Sequence, residues 1–427
     1  MSIKPDFDIA IVGGGIAGLC LALSIIGQSS IPVTLYEAAP AFGEIGAGVA
    51  FGPNAVRAMF LISKEFGSRF QARATSNLSP EKKNTWFDFR IGMDGKTEEA
   101  RQRGVRAGQF LCTVDEPEPH SGLINRSHFL DILVDLLPPN FGTFGKILTS
   151  LEDNGPAGVL LRFEDGTEAT HSAVIGCDGI KSRTRRILAG EDSPKVLPTF
   201  TGKYCYRGMI PMHLAVEKLG EELAQNCQAY MGYHGHILTF PVAKGKMMNV
   251  VAFHSQDEWR HERMVIPATK EQIFADFKDW GTQVKDIINL MGPSDIWALF
   301  DHPSLDTYTR GRLCLMGDAA HASTPFQGAG AGMAVEDAYV LGSLLTSIRS
   351  GDQLESAFQA FDALRRERTQ RLVTSSRESG QLWHFELEGD DVEKIRDLLA
   401  SRMRWIWEYD IEADVRAAVA TLQQQQE

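Results

Sequence analysis

Hydrophobic and polar positions change their period several times along the chain, and each change marks an element. Residues 8–12, DIAIV, form a short apolar run of the kind buried in a parallel sheet. Three glycines end it, and the apolar stretch 16–26 then predicts a helix. A second strand at 33–36 stops at Glu37, so the chain opens with a strand–helix–strand unit. A Gly-rich loop at 42–52 leads to a helical pattern that starts at Pro53. Residues 127–137 carry apolar positions at helical spacing, and Pro138 closes them. Two runs, 159–163 and 168–171, flank Asp165-Gly166 and predict a β-hairpin; 173–175 predicts a buried strand. The strand-like runs 203–211, 228–241 and 248–254 suggest a separate sheet. A helix is expected over 273–291, a strand at 313–316, a long helix from near Gly332, and amphipathic helices from about 353 to a frayed end at 423–426. Residues 65–120 are polar, with mixed charge at 81–106, and read as an irregular excursion.

The order of elements predicts an α/β fold: a Rossmann-like domain interleaved with a β-sheet domain, followed by C-terminal helices. The expected parts are 1–195 and 291–350 for the nucleotide-binding domain, 196–290 for the sheet domain and 351–427 for the helical region. Composition narrows the partners. The 427 residues carry 43 Lys+Arg against 55 Asp+Glu, a net charge of -12, which argues against nucleic acid. No apolar run reaches the roughly 18 residues of a membrane span, so no transmembrane segment is expected. The acidic N-terminus, with Asp6 and Asp8, does not read as a signal peptide. The six cysteines are scattered without a CxxC pair, so a metal site is not expected; free thiols in a reducing, cytoplasmic setting are. The 40 glycines exceed an average composition by about ten, and glycine collects where backbone approaches a ligand.

The densest glycine cluster carries chemistry. Gly13-x-Gly15-x-x-Gly18 follows a strand and opens a helix, and Glu37 lies 19 residues beyond Gly18 at the end of the next strand. Gly13 permits the turn, Gly15 lets backbone approach a pyrophosphate, and Gly18 allows close helix–sheet packing. The helix N-terminus supplies N–H groups and positive dipole, and Glu37 would accept ribose hydroxyls. An acidic residue here suits FAD or NAD better than NADP, and this motif does not choose between the two.

Three separated motifs resemble those of the FAD-dependent aromatic hydroxylases, the group that includes 4-hydroxybenzoate and salicylate hydroxylases. They are GGGIAGL at 13–19, GCDGIKSRTRR at 176–186 and GDAAHASTPFQGAGAGMAVEDA at 317–338. GAGVAFGPNAVRA at 46–58 and NRSHFLDIL at 125–133 support the match, and YRGMIP at 206–211 and WALFDHP at 297–303 look like the fungal salicylate-hydroxylase-like branch. The resemblance implies FAD as cofactor, with NAD(P)H and O2 as co-substrates and oxygen transfer through a flavin C4a-hydroperoxide. It places Asp318 on the flavin ribitol and Pro325 near the flavin C4a. Backbone N–H groups of Gly328, Gly330, Ala331 and Gly332 would meet the pyrimidine edge, where a helix N-terminus stabilises negative charge. Gly48, Val49, Arg126, Asp178 and Arg185 are implied as further cofactor contacts. His321 reads as structural rather than as an acid–base group.

The sheet at 200–255 is expected to hold the substrate. Arg207 would meet a carboxylate or phenolate, or else a structural acidic partner. The run AYMGYHGHILTFP, read as one strand, puts Tyr230, His234 and His236 on one face and Tyr233 on the other, unless Gly232 or Gly235 makes a bulge. A His on this strand could take a phenol proton. Tyr230, His234, His236, Arg207 and Pro325 are the candidate catalytic residues. Phe240 and Phe326 stand where relatives carry Tyr and His, which leaves the regiochemistry open. The expected activity is hydroxylation of a small, phenolic, salicylate-like aromatic substrate, with or without decarboxylation or dearomatisation. Alternatives are an epoxidase or a hydroxylase of a non-phenolic secondary metabolite on the same fold, and a non-catalytic FAD-binding protein. Monomer and homodimer are both open.

Overall fold

The apolar run near the start becomes the strand Ile9–Val12, buried at every position. It pairs in parallel with Val33–Glu37 on one side and Ala173–Gly176 on the other. Leu313–Leu315 and Thr143–Phe144 extend the sheet in parallel, and Thr309–Arg310 closes one edge antiparallel. Parallel neighbours need long crossovers, which is why these six strands come from distant parts of the chain. The computed structural model describes residues 5–43 and 48–424. Gly46, in the Gly-rich loop, and the last residues of the expected frayed tail lie outside the described residues. Helix Ile16–Ile26 packs against helix Gly330–Ser347. The approach is close: a Cβ on Gly342 would lie 2.2 Å from Ser24 Oγ. No helix among the described residues is long and apolar enough to cross a membrane.

A second sheet has eight strands in the order Val265–Pro267, Asp295–Asp301, Thr199–Pro211, Met247–Ser255, Gly235–Val242, Gln228–Gly232, Thr85–Ile91 and Phe110–Asp115. One face, with Leu238, Phe240 and Phe253, packs toward the C-terminal helices and Phe326. The other, with Tyr206, Tyr230 and Ile237, packs against Met212–Leu219 and Thr282–Leu290.

Three expectations are corrected here. Residues 228–241 are two antiparallel strands, with Tyr233 and His234 as a tight turn and His234 at φ 60°. Tyr230 pairs with Ile237 and Met231 with His236, so Tyr230 and His236 face opposite sides of the sheet. Residues 65–120 are not irregular: Thr85–Ile91 and Phe110–Asp115 complete the second sheet, the former parallel to Gln228–Gly232. Phe87, Asp88, Phe89, Arg90 and Ile91 alternate as a strand should, with Asp88 buried on the face opposite the two phenylalanines, where Lys82 pairs with it at 2.9 Å and Thr113 donates to it at 2.6 Å. The helix expected over 273–291 is two helices, Lys270–Asp276 and Thr282–Leu290, parted at Trp280-Gly281. A Cβ on Gly281 would sit 2.5 Å from Ala107 Cβ, so the chain turns there against a neighbouring loop.

The thirty-residue helix Leu354–Trp383 meets Gly330–Ser347 through a buried charge network. Arg368 grips Glu336 with Nε and Nη2, both at 2.9 Å, and also donates to the carbonyls of Trp405 and Ile406. Arg365 reaches both acids: Nη1 is 2.8 Å from Glu336 Oε2 and Nε 2.7 Å from Asp337 Oδ1. Asn54 Nδ2 donates to Glu336, while His321 Nε2 and Gly317 N bond Asp337 Oδ2. Burial opposes both charges, and the arginines and His321 overcome it, holding each carboxylate down at about 2. Their stabilisation is present above the ordinary carboxylate range and is lost as pH falls toward about 2. Met403, Ile406 and Trp407 then pack on the protein's own core beside Trp86 and Trp383.

Arg365→Met would leave two buried carboxylates short of a partner. It is expected to cost about 3–5 kcal/mol, read as the shift of the urea-unfolding midpoint at neutral pH. A midpoint within error of the parent's would show that Arg368 and His321 suffice alone.

Candidate active site

The glycine fingerprint has the geometry its chemistry requires. Gly13 sits at φ 110°, and a Cβ there would come 2.4 Å from Cys177 O. A Cβ on Gly18 would lie 2.0 Å from Gly13 O, whereas one on Gly15 would meet nothing within 4 Å. The open space is therefore at Gly15, where backbone must approach a phosphate. Helix Ile16–Ile26 starts there without a side-chain cap, leaving first-turn N–H groups for an anion. Glu37 accepts from Gly14 N at 2.6 Å and Ala39 N at 2.7 Å, which fixes its carboxylate beside the loop. Each oxygen keeps a lone pair for a ribose hydroxyl.

A cavity of about 500 Å³ opens between the eight-stranded sheet and the segments around Gly48–Phe51 and the start of helix Gly330–Ser347. Asp318, Pro325, Gly328, Gly330 and Ala331 line one side; Gly48, Val49 and Arg126 line it too. Asp318 is exposed and its carboxylate makes no hydrogen bond among the described residues, so it is available to a polyol. Gly328 has φ 58°, which turns the chain into helix Gly330–Ser347; no side chain caps that helix start, and its N–H groups border the cavity. These features fit a flavin: acceptor, donors and backbone clearance stand where an extended dinucleotide needs them. Gly332 does not line the cavity. It packs helix on helix, with a Cβ there 3.0 Å from Ala55 Cβ.

Two other expected cofactor contacts are committed elsewhere. Asp178 accepts from Ser182 Oγ, Arg183 N and both Thr184 N and Oγ1 at 2.5–2.9 Å, so it holds the start of helix Arg183–Ala189. Arg185 is fully buried and donates to the carbonyls of Lys195, Pro303, Ala319 and Ala320. It ties the 176–186 motif to the loop after Gly317 and does not reach the cavity. His321, on Asp337, is likewise structural.

On the substrate side, Arg207 lines the cavity with its guanidinium over the Trp297 ring, 4.6 Å from the centroid. It has no carboxylate partner among the described residues, and its buried Nε is unsatisfied. Leu238, Phe240, Val251 and Phe253 form an apolar wall. The other catalytic candidates are not brought to this space. Tyr230 is buried on the opposite face of the sheet, and burial raises its phenol. His234 is the exposed turn residue, with Nδ1 3.5 Å from Glu386. His236 is the cross-strand neighbour of Phe253 on the same face as the wall, but it is fully buried, stacked on Phe253 with ring centroids 4.2 Å apart, its Nδ1 2.8 Å from His384 Nε2. Burial first, then His384 and Lys203, keeps His236 well below the ordinary histidine value. The hairpin turn accounts for Tyr230, which it puts on the face opposite His236, Leu238 and Phe240; His236 is kept out by the Phe326 and Trp383 rings packed against it.

The cavity also recruits residues that no motif announced. Asn249 and Trp86 line it. So does Glu116, which is 6% exposed. Burial pushes the Glu116 carboxyl up to about 7, against hydrogen bonding from Ser121. A lone Glu after a strand carries no pattern by which sequence reading could find it.

Asp318→Ala is expected to lower the flavin content of purified protein, measured by absorbance after gel filtration. Unchanged content would remove Asp318 from the cofactor site. Glu116→Gln is expected to raise the unfolding midpoint at pH 8 and leave it unchanged at pH 4. The wild-type group disfavours the fold as pH rises from its ordinary 4.5 through about 7, by up to roughly 3 kcal/mol. Equal midpoints at pH 8 would show the carboxyl to be solvated.

Comparison with known proteins agrees with this geometry. A family model described as an FAD binding domain matches residues 143–376. A 6-methylsalicylate 1-monooxygenase of Aspergillus terreus is 39% identical over 98% of this chain and 93% of its own. A salicylate hydroxylase of Pseudomonas putida is 39% identical over 97% and 94%. A solved salicylate hydroxylase substrate complex superposes with a TM-score of 0.85 at 34% identity, covering 96% of this chain and 98% of that one. With the nucleotide loop, the flavin-side cavity and these full-length similarities together, the chain belongs to the FAD-dependent aromatic monooxygenases of the salicylate-hydroxylase-like type.

Proposed function

We propose that the protein hydroxylates a phenolic, salicylate-like aromatic acid at the expense of NAD(P)H and O2. The observation that carries this reading is Arg207: a cation without a carboxylate partner among the described residues, backed by Trp297, in a cavity bordered by the Gly328–Ala331 segment. Bound FAD would supply the redox chemistry, accepting hydride and activating oxygen. The chain supplies placement. Arg207 can hold a carboxylate bidentately and so fix which ring edge faces the flavin side. Leu238, Phe240, Val251 and Phe253 cover one face of the ring and exclude water from it. The start of helix Gly330–Ser347 favours negative charge at the flavin edge of the cavity. No histidine among the described residues lines the cavity, so the substrate proton is not assigned to His234 or His236. The free thiols fit a reducing compartment, the cytosol.

The purified holoenzyme should oxidise NADH or NADPH faster when an ortho-hydroxy aromatic acid is added, with product identified by mass. Flavin-loaded protein that shows no stimulation across a panel of phenols would overturn the reading in favour of a non-catalytic flavin binder. Arg207→Met should raise KM for the anionic substrate by roughly 30- to 1,000-fold, the equivalent of about 2–4 kcal/mol. Unchanged KM would assign Arg207 to structure.

A further inference from the structure

The cavity continues well past Arg207. Arg207 lies on Thr199–Pro211; Thr85 and Phe87, which also line the cavity, lie on Thr85–Ile91. Four strand steps separate these two strands, about 19 Å measured along the sheet at ~4.8 Å per step. That exceeds a single benzoate ring with its substituents. Glu116 closes the far end. Its backbone N–H bonds Asn84 O at 2.8 Å, immediately before Thr85–Ile91. Its Oε1 accepts from Ser121 N at 2.5 Å, and its Oε2 is buried with no partner. A buried oxygen left unsatisfied is costly and marks a place for a donor or acceptor.

Ser121 bonds the carboxyl by its N–H and side chain, and among the described residues no other neighbour reaches Oε2. Asn77 also lines this end, but its Nδ2 donates to Lys82 O and Thr85 O, and its Oδ1 accepts from Cys227 N. Lys83 borders the cavity without pairing to Glu116, and Asp115, next in the chain, repels a second negative charge. Burial pushes the Glu116 carboxyl up to about 7, so near neutral pH it both donates and accepts. A hydroxyl donates to the carboxylate and accepts from the carboxylic acid, so it answers both forms.

We propose that Glu116 forms a hydroxyl-binding subsite at the far end of the cavity, selecting an ortho-hydroxy aromatic acid that extends beyond one ring. This rests on the reading above, in which the cavity holds an aromatic acid at Arg207. The test measures Kd from the flavin absorbance change of the holoenzyme. The probes are salicylate, 3-hydroxy-2-naphthoate and the 3,5- and 3,7-dihydroxy-2-naphthoates. Wild type should bind at least one dihydroxy acid tenfold or more tighter than the monohydroxy acid. Glu116→Ala should abolish that advantage and change Kd for 3-hydroxy-2-naphthoate less than twofold, with flavin content unchanged. Glu116→Gln, which keeps an acceptor for Ser121 N, should retain part of it. Absence of a distal-hydroxyl preference in wild type overturns the inference, and this arm needs no variant to fold. Equal weakening of all ligands by Glu116→Ala also overturns it and leaves the carboxyl as a loop brace. If none of the four acids binds wild type, the aromatic-acid reading itself falls; if they bind without preference, only this inference does.

Discussion

The buried exchange of charge between helices Gly330–Ser347 and Leu354–Trp383 is the constraint on which the cavity wall depends. Glu336 and Asp337 are neighbours in sequence, so their side chains leave the helix about 100° apart. Glu336 turns to Asn54 and to Arg368, which in turn holds the carbonyls of Trp405 and Ile406. Asp337 turns to Gly317 N and His321, in the loop that carries Asp318. Arg365 touches both acids and so couples the two directions. One ion cluster thus sets the Gly317–Ala331 wall against the rest of the molecule. Paired buried charges of this kind contribute little net stability compared with a packed apolar core, yet breaking one is expensive. Their effect is to hold one arrangement, which an active-site wall requires.

The cavity belongs to neither sheet alone. The loop after Gly317, the start of helix Gly330–Ser347 and the strand Gly48–Phe51 bring mostly backbone: the Gly328–Ala331 segment, Gly48 and Val49, with the carboxylate of Asp318. The eight-stranded sheet brings side chains: Arg207 and Trp297 at one position, an apolar wall in the middle and Glu116 at the other end. A cofactor of nearly constant shape is met by backbone geometry, and a variable substrate by side chains on a regular surface. The division explains why the cofactor motifs are short and local, while the substrate residues are dispersed over strands from 85 to 297.

Several site residues were readable because their chemistry is local. Gly13, Gly15 and Gly18 act through the turn in which they sit, and Asp318 and Gly328 through the loop after Gly317. Arg207 was readable as a cation on a strand. Other residues misled for a definite reason. Tyr230 and His236 depend on register, and a two-residue turn at Tyr233-His234 reverses which face each one takes. Arg185 lies in a motif, but its guanidinium is spent on four carbonyls that are distant in sequence. The strands within 65–120 were hidden although Phe87 to Ile91 alternate, because the charged stretch around them reads as surface and the ion pair that lets Asp88 be buried, with Lys82, exists only in the folded state.

The sequence by itself determined the α/β class, the dinucleotide turn, the flavin-type motifs and the presence of a cation, Arg207, on a strand of the second sheet. Each of these follows from residues within one turn or one strand of each other. Only the tertiary structure decided which histidines are excluded from the cavity, that the cavity spans several strands, and that Glu116 ends it with an unsatisfied oxygen. Those properties depend on strand pairing and burial between segments more than a hundred residues apart, and a side chain's environment there is set by its neighbours in space rather than in sequence.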